Sequence, residues 1–150
     1  MNILMVCLGN ICRSPLAEGI LKNKTKNIEN IKVDSAGIAG YHIGNSPDTR
    51  AVQVAKKYNI NITKQIARQF CKNDFSNYDI IYAMDKSNYS HLVALAQTKE
   101  QRSKIKMILN EVRPGSYESV PDPYYGGDKG FENVFKLLEI ACEEITKKIE

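Results

Sequence analysis

The sequence predicts an α/β protein, in which a mainly parallel sheet carries helices on both faces. Apolar segments typical of buried strands alternate with segments of helical periodicity along the 150 residues. No internal repeat or Pro/Gly-rich linker interrupts this alternation, so we expect one domain over residues 1–150. Ligands of such sheets bind at the carboxyl ends of the strands, and a functional site is expected at that edge.

The strand and helix signals run in regular order. Strands are predicted at residues 3–6, 31–34, 78–83 and 105–109. Ser14 and Pro15 give an N-cap and a first-position proline for a helix that runs to about Lys24. The segment 46–48 (SPD) repeats this signature, and another helix is expected after Asp85. The last helix has the clearest period, with one apolar face formed by Phe131, Val134, Phe135, Leu138, Ala141, Cys142, Ile145 and Ile149.

Composition excludes several classes of protein. The net charge of +4 suits an anionic substrate, but no dense Lys/Arg run indicates nucleic acid. No apolar stretch is long enough to cross a membrane, and the first ten residues lack the features of a signal peptide. We therefore expect a cytoplasmic protein with four free thiols, of which Cys71 and Cys142 serve packing. Two histidines and no CxxC motif make a metal site unexpected.

The segment that follows the first strand, CLGNICRS (residues 7–14), has the spacing C-x5-R-S. A short loop between a strand and a helix can turn its N–H groups toward an anion, and the helix N-terminus adds positive charge. Gly9 and Asn10 are residue types that tolerate the positive φ of a tight loop. We therefore predict that phosphate is bound by Leu8, Gly9, Asn10, Ile11, Cys12, Arg13 and Ser14.

Two side chains of this loop have the chemistry of phosphoryl transfer. The guanidinium of Arg13 can hold two phosphate oxygens, and the loop amides would favour the nucleophilic thiolate of Cys7. Ser14 can donate to that sulfur as well as cap the helix. The competing interpretation is a buried structural thiol and a solvated arginine, which is commoner for an isolated C-x5-R match. The glycine, the asparagine, the Ser-Pro pair and the strand–loop–helix setting together favour catalysis.

The segment VCLGNICRSPLAEG resembles the signature of the low-molecular-weight protein tyrosine phosphatases, and the resemblance covers nearly the whole chain. Further blocks follow in that family's order: DSAG at 34–37, Asp-x-Arg at 48–50, ARQ at 67–69, AMDKSN at 83–88 and VPDPYYGGDKGFE at 120–132. The resemblance implies a three-layer α/β/α fold with a four-stranded parallel sheet, its phosphate-binding loop between strand 1 and helix 1. It also implies metal-independent hydrolysis of phosphotyrosine through a phosphocysteine, without a cofactor.

The resemblance also implies roles for single residues. Asp122 corresponds to the general acid, although an Asp before Pro is often simply a turn former. Tyr124 and Tyr125 correspond to one wall of an aromatic slot, and Tyr41, where relatives frequently carry Trp, is a candidate for the other wall. Tyr41, together with Ile38 in place of a more usual Thr, leaves the substrate preference open.

Other positions are expected to support or regulate the site. The resemblance implies that Ser35 and Asn10 hold the loop in shape through hydrogen bonds, and that Cys12 forms a reversible, protective disulfide with Cys7. Cys12 as a small loop filler is the alternative. Asp48 and Asp85 lie near the site or merely cap helices. His42 and His91 are expected to be ordinary loop or surface histidines and not catalytic ones.

Two other functions compete with phosphotyrosine hydrolysis. Arsenate reductases share a C-x5-R loop, but they need a thiol relay, and the remaining cysteines do not form a closely spaced pair. A non-catalytic phosphate-binding module would be expected to lack Cys7, Arg13 or Asp122. The predicted partner is a phosphotyrosine protein, with no nucleic acid or membrane, and the chain is expected to be a monomer or a weak homodimer.

Overall fold

The computed structural model describes residues 1–150, apart from the side chain of Asp128. The strands are β1 (Asn2–Cys7), β2 (Lys32–Gly37), β3 (Ile80–Ala83) and β4 (Ile105–Met107). The helices are α1 (Arg13–Lys24), α2 (Thr49–Lys57), α3 (Asp74–Asn77), α4 (Lys86–Leu95), α5 (Lys99–Ser103) and α6 (Gly127–Ile149). The strands pair in parallel in the order β2-β1-β3-β4, which confirms the predicted sheet.

The sheet is buried on both faces. Alternate residues of β1 point to opposite sides, so Ile3 and Met5 pack into one apolar cluster with α1 and α6, whereas Leu4 and Val6 pack into a second. The second cluster takes in Phe75 of α3 and residues of α4. The predicted apolar face of α6 is confirmed, because all its members except the half-buried Ile149 are buried against the first cluster. Two covered faces explain why β1 reads as a continuous apolar run.

Each strand has a boundary that differs from the prediction by one to three residues, and the carboxyl ends of β4 and β2 bear on the site. The fourth strand ends at Met107 because its neighbour β3 ends at Ala83, and residues 108–111 turn into a 3-10 helix instead. The second strand extends beyond residue 34 to Gly37, which pairs with Cys7. Its last three residues are Ser, Ala and Gly, which are not β-branched, so the sequence pattern did not indicate this extension. The longer β2 brings Ser35 beside the loop that follows β1.

Two predicted helix caps were wrong. Helix α1 begins at Arg13 with Cys12 at the N-cap position, so Ser14 lies inside the first turn and its hydroxyl does not cap the helix. Pro15 is tolerated there because the first N–H groups of a helix lack intrahelical acceptors. Helix α2 is capped by Asp48, not Ser46, through the backbone N–H of Arg50 at 2.9 Å.

Helices α2 and α6 are amphipathic, each with one buried apolar face. Among the helices in the described residues, none is at once long enough and apolar enough to span a lipid bilayer.

Candidate active site

The loop between β1 and α1 encloses the sulfur of Cys7. Cys7 is the last residue of β1 at the carboxyl edge of the sheet, and it is buried. Its Sγ lies 3.0 Å from Oγ of Ser14 and accepts the backbone N–H of Asn10 at 3.3 Å. The N–H groups of Gly9, Ile11 and Cys12 donate to no acceptor within the described part of the chain. The loop therefore offers several amide donors next to the sulfur, as an anion site requires.

Asn10 fixes the shape of this loop. Its φ of 58° is left-handed, which confirms the prediction of a positive φ here. The buried side chain donates through Nδ2 to Oγ of Ser14 at 2.8 Å and to Oγ of Ser35 at 2.9 Å. Its Oδ1 accepts the N–H of Arg68 at 3.0 Å. The structure thus brings Asn10 and Ser35 together as the sequence predicted.

Glu18 sets the direction of these hydrogen bonds. This buried carboxylate of α1 accepts the hydroxyl of Ser35 at 2.7 Å. Each hydroxyl has one proton, so Ser35 must accept from Asn10, and Asn10 then gives its other N–H to Ser14. The one proton of Ser14 is left for the sulfur of Cys7. No sequence signal pointed to Glu18, which reads as an ordinary helix residue until β2 places Ser35 beside it.

Arg13 is held at the other side of the loop. Its buried guanidinium donates through one terminal nitrogen to Oδ2 of Asp85 at 2.7 Å and to the carbonyl of Val120 at 2.9 Å. Asp85 also caps α4 by accepting the N–H of Asn88 at 2.7 Å. Asp85 is therefore both a helix cap and a partner of Arg13. The second terminal nitrogen of Arg13 has no partner among the described residues, which leaves its donors for an anion.

A cavity of about 130 Å³ opens above the loop. Cys7 and Arg13 line it together with Tyr41, Asp122 and Tyr124. Tyr125 does not line the cavity; it is 89% exposed, and its ring centroid lies 6.3 Å from that of Tyr124. The two aromatic residues predicted for opposite walls, Tyr41 and Tyr124, thus both reach the site, while Tyr125 stands outside it.

His42, expected to be an ordinary loop or surface histidine, lies in a turn and also lines the cavity. Its ring covers Gly9 so closely that a Cβ at residue 9 would lie 2.9 Å from the imidazole. The glycine is therefore needed for this contact. The φ of Gly9 is not positive. His91 is exposed on α4, as expected.

Asp122 is exposed at the rim of the cavity. Its Oδ1 accepts the N–H of Tyr124 at 3.0 Å and so begins the 3-10 turn Pro123–Tyr125. The second carboxylate oxygen has no protein partner among the described residues. Asp122 therefore forms the turn that one interpretation predicted, and it also presents a carboxylate oxygen at the cavity, where a general acid would have to lie.

Arg50 joins the aromatic wall to the loop. Its guanidinium carbon lies 4.6 Å from the ring centroid of Tyr124 and 4.7 Å from that of Phe131. The same group donates to both carboxylate oxygens of Asp48 at 3.1 and 3.0 Å, and these hydrogen bonds lower the pKa of Asp48. The N–H of Asp48 in turn donates to the carbonyl of Ile11 at 2.8 Å. The Asp-x-Arg block was the sequence signal for this connection.

The four thiols lie in different environments. Burial, with the charges of Asp48, Cys7 and Asp122, raises the pKa of Cys12 to about 12. Burial raises the pKa of Cys142 to about 12 as well, in the core under α6. Cys71 is exposed, so its predicted packing role was wrong. Within the residues described, no three His, Cys, Asp or Glu side chains are grouped to hold a metal ion.

Known proteins share both the sequence and this architecture. The family model described as low molecular weight phosphotyrosine protein phosphatase matches residues 2–150. A putative low molecular weight protein-tyrosine-phosphatase of Synechocystis is 44% identical, covering 99% of this chain and 96% of the relative. The crystal structure of a protein tyrosine phosphatase from Entamoeba histolytica superposes with a TM-score of 0.91 at 40% identity, over 99% and 96% of the two chains.

A second similar structure is named for another substrate. A Drosophila arginine phosphatase superposes with a TM-score of 0.91 at 33% identity, over 99% of this chain and 97% of that one. The family match over nearly the whole chain, with relatives of at least 40% identity, decides the classification. The chain belongs to the low molecular weight phosphotyrosine protein phosphatases, an enzyme family of hydrolases.

Proposed function

We propose that this protein hydrolyses aryl phosphate monoesters, phosphotyrosine above all, through a phosphocysteine on Cys7. The observation that carries the proposal is the environment of the Cys7 sulfur. It lies among loop amides, 3.0 Å from the hydroxyl of Ser14, in a cavity that Arg13 and Asp122 also line. Such a site combines a nucleophile, a phosphate-binding group and a proton donor.

In the first step the thiolate of Cys7 attacks phosphorus, and the bond to the phenolic oxygen breaks. Asp122, in its protonated form, gives its proton to that oxygen, so the phenol leaves neutral. The loop amides and the free nitrogen of Arg13 bind the three phosphoryl oxygens as charge spreads over them. Ser14 donates to the sulfur before attack.

In the second step a water molecule attacks the phosphocysteine. Asp122, now a carboxylate, removes a proton from that water, the new P–O bond forms and the S–P bond breaks. Inorganic phosphate is released and the thiolate is restored. Because Arg13 and the amides supply the positive charge that a metal supplies in other phosphatases, we propose a metal-independent reaction without a cofactor.

The walls of the cavity favour a flat aromatic leaving group. Tyr41, His42 and Tyr124 present three rings at its mouth, where stacking adds to simple burial. A phosphorylated guanidinium would instead require carboxylates, and Asp122 is the one carboxylate that lines the cavity among the described residues. We therefore propose phosphotyrosine and not phosphoarginine as the substrate.

The test is a steady-state comparison of p-nitrophenyl phosphate, a phosphotyrosine peptide and a phosphoarginine peptide. We expect kcat/KM to be highest for the phosphotyrosine peptide, and Cys7→Ser to abolish turnover. Asp122→Asn should lower kcat by about 10²–10⁴-fold, most for poor leaving groups. Full activity of Cys7→Ser would refute the mechanism, and a preference for phosphoarginine would refute the substrate. Thioredoxin-dependent arsenate reduction by the same sample would favour the reductase alternative.

We further propose that Cys12 protects the nucleophile. If peroxide converts Cys7 to its sulfenic acid, the Cys12 thiol can condense with it, forming the S–S bond and releasing water. Both thiols are buried, and both line the same cavity. After a peroxide pulse, dithiothreitol should restore activity to the wild type but not to Cys12→Ala. Equal recovery of the two proteins would contradict this role.

Three further properties are part of the proposal. Residues 1–150 act as one phosphatase domain, since the site draws on both ends of the chain. The enzyme acts on phosphotyrosine proteins in the cytoplasm, where its thiols stay reduced. It works as a monomer or weak homodimer, which analytical ultracentrifugation across a concentration series would test.

A further inference from the structure

A second cleft, of about 640 Å³, lies between α1, the edge strand β2 and the segment 59–68. It shares no lining residue with the cavity above Cys7. Its volume falls within the range of small-molecule sites, which is roughly 300–1,000 Å³. None of the residues that take part in the proposed catalytic steps lines this cleft.

The inner wall of this cleft carries several hydrogen-bond acceptors, beside the donor groups of Arg68 and Tyr78. Glu18 is buried there, and the half-buried carboxylate of Asp34 lies nearby. Gln65 contributes a side-chain oxygen that is buried and has no partner, the one such atom found in the described residues. The amide cannot be reversed, because its Nε2 donates to the carbonyl of Pro15 at 3.1 Å. A ligand that fills the inner wall must therefore bring O–H or N–H donors.

The rim of the cleft is cationic. Lys26 and Lys64 are exposed, and neither forms an ion pair with a carboxylate in the described part of the chain. Lys22 is also at the rim, 52% exposed, with its ammonium 2.6 Å from Glu18. Three flexible ammonium groups around one opening suit a phosphate, which they contact as point charges. A ligand of this cleft would therefore carry an anionic group for the rim and hydrogen-bond donors for the inner wall.

We propose that this cleft is a second ligand site, for a phosphorylated polyhydroxy compound of the sugar phosphate class. The hydroxyls donate to Glu18, Asp34 and the free oxygen of Gln65, and the phosphate lies among Lys22, Lys26 and Lys64. A bare polyphosphate leaves the oxygen of Gln65 unsatisfied, which costs binding energy, whereas Glu18 and Asp34 keep their protein donors. An uncharged sugar leaves the lysines without an anion.

Fructose 1,6-bisphosphate is the probe for this site. Its binding is measured by isothermal titration calorimetry on the wild-type protein, with the catalytic cavity filled by saturating benzylphosphonate. We expect one molecule per chain, bound at least tenfold more tightly than either fructose or pyrophosphate. Lys26→Glu combined with Lys64→Glu should weaken binding at least tenfold. Lys72→Glu combined with Lys99→Glu, which adds the same charge at exposed lysines outside the cleft, should leave it unchanged.

The acceptor wall has its own variant. Gln65→Leu removes the unpartnered oxygen, and it should weaken fructose 1,6-bisphosphate but not pyrophosphate. Failure to bind the probe, or its displacement by benzylphosphonate, would overturn the proposal. The proposal would also be overturned if pyrophosphate bound as tightly as fructose 1,6-bisphosphate, or if the two double lysine variants lost the same amount of affinity for fructose 1,6-bisphosphate. Thermal unfolding of each variant identifies any that has lost its fold, and the lysine variants change exposed side chains only.

Discussion

Replacing Asn10 by aspartate tests the directed hydrogen bonds behind Cys7. The substitution exchanges Nδ2 for an oxygen, and aspartate tolerates the left-handed φ of 58° nearly as well as asparagine. Oδ1 still accepts from Arg68, but the new oxygen faces the hydroxyls of Ser14 and Ser35 at 2.8 and 2.9 Å. Ser35 already gives its proton to Glu18, so it cannot also donate to the side chain at position 10.

The magnitude follows from counting the affected groups. Two buried hydrogen bonds are lost, and at least one pair of acceptors is left facing each other, at about 1–3 kcal/mol for each unsatisfied group. We expect the free energy of unfolding to fall by about 2–5 kcal/mol. If Ser14 turns its proton to the introduced carboxylate, the Cys7 thiolate loses a donor worth about 1.5–3 kcal/mol. That corresponds to about a 10–150-fold loss in kcat.

Urea denaturation and steady-state hydrolysis of p-nitrophenyl phosphate measure the two effects. Asn30→Asp is the matched control, because Asn30 also has a left-handed φ, 63°, but its side chain is exposed and outside the loop. It should alter neither quantity appreciably. The reasoning is refuted if Asn10→Asp stays within twofold of wild-type kcat while unfolding at the same urea concentration, or if the control loses as much.

Three other changes test neighbouring contacts. Asp85→Asn keeps the cap of α4 but removes the charge that holds Arg13, so kcat/KM for aryl phosphates should fall about tenfold. Asp85→Ala should in addition lower the free energy of unfolding by about 1 kcal/mol, because the cap is lost. Unchanged kcat/KM in both variants would contradict the role of Asp85. Arg50→Gln should raise KM for aryl phosphates about threefold to tenfold with less effect on kcat, because the Tyr124 ring loses its contact with the guanidinium. An effect on kcat alone would contradict a role of Arg50 in positioning Tyr124. Cys142 has its pKa raised from 9.0 to about 12 in the folded state, so its contribution to stability is fully present below pH 9 and is lost as pH rises toward 12. Between pH 8 and 10 the free energy of unfolding, measured in urea, should therefore fall by about 1 kcal/mol more in the wild type than in Cys142→Ala. An equal fall in both proteins would show that Cys142 does not cause the pH dependence.

Local patterns were enough to predict the fold and the centre of the site. The apolar run of β1, the C-x5-R-S loop and the periodic face of α6 each depend on neighbours in sequence. Cys7 and Arg13 accordingly line one cavity. Asp122 lines it too, but its local pattern favoured a turn, and only the resemblance to the phosphatase family assigned it to the site. Asn10 with its positive φ was also foreseeable, because few residue types accept that conformation.

The remaining parts of the site depend on tertiary contacts. Glu18 acquires its role because an extended β2 carries Ser35 to it, and His42 because its ring settles on Gly9. The helix-capping role predicted for Ser14 failed for the same reason, since α1 starts two residues earlier than predicted and the hydroxyl bonds Asn10 and the Cys7 sulfur. Tyr125 could not be separated from Tyr124 by sequence, because adjacent positions in a turn point in different directions.

The hydrogen bond from Arg13 to the carbonyl of Val120 has a consequence for synthesis of the protein. Cys7 and Arg13 leave the ribosome first. The segment that contains Val120, the partner of Arg13, and the proposed acid Asp122 emerges more than a hundred residues afterwards. At about 5–20 residues per second, that interval lasts roughly 5–20 s. During this interval the nascent chain carries Cys7 without the partners that complete its site, so phosphatase activity can appear only after residues 120–122 have been synthesised.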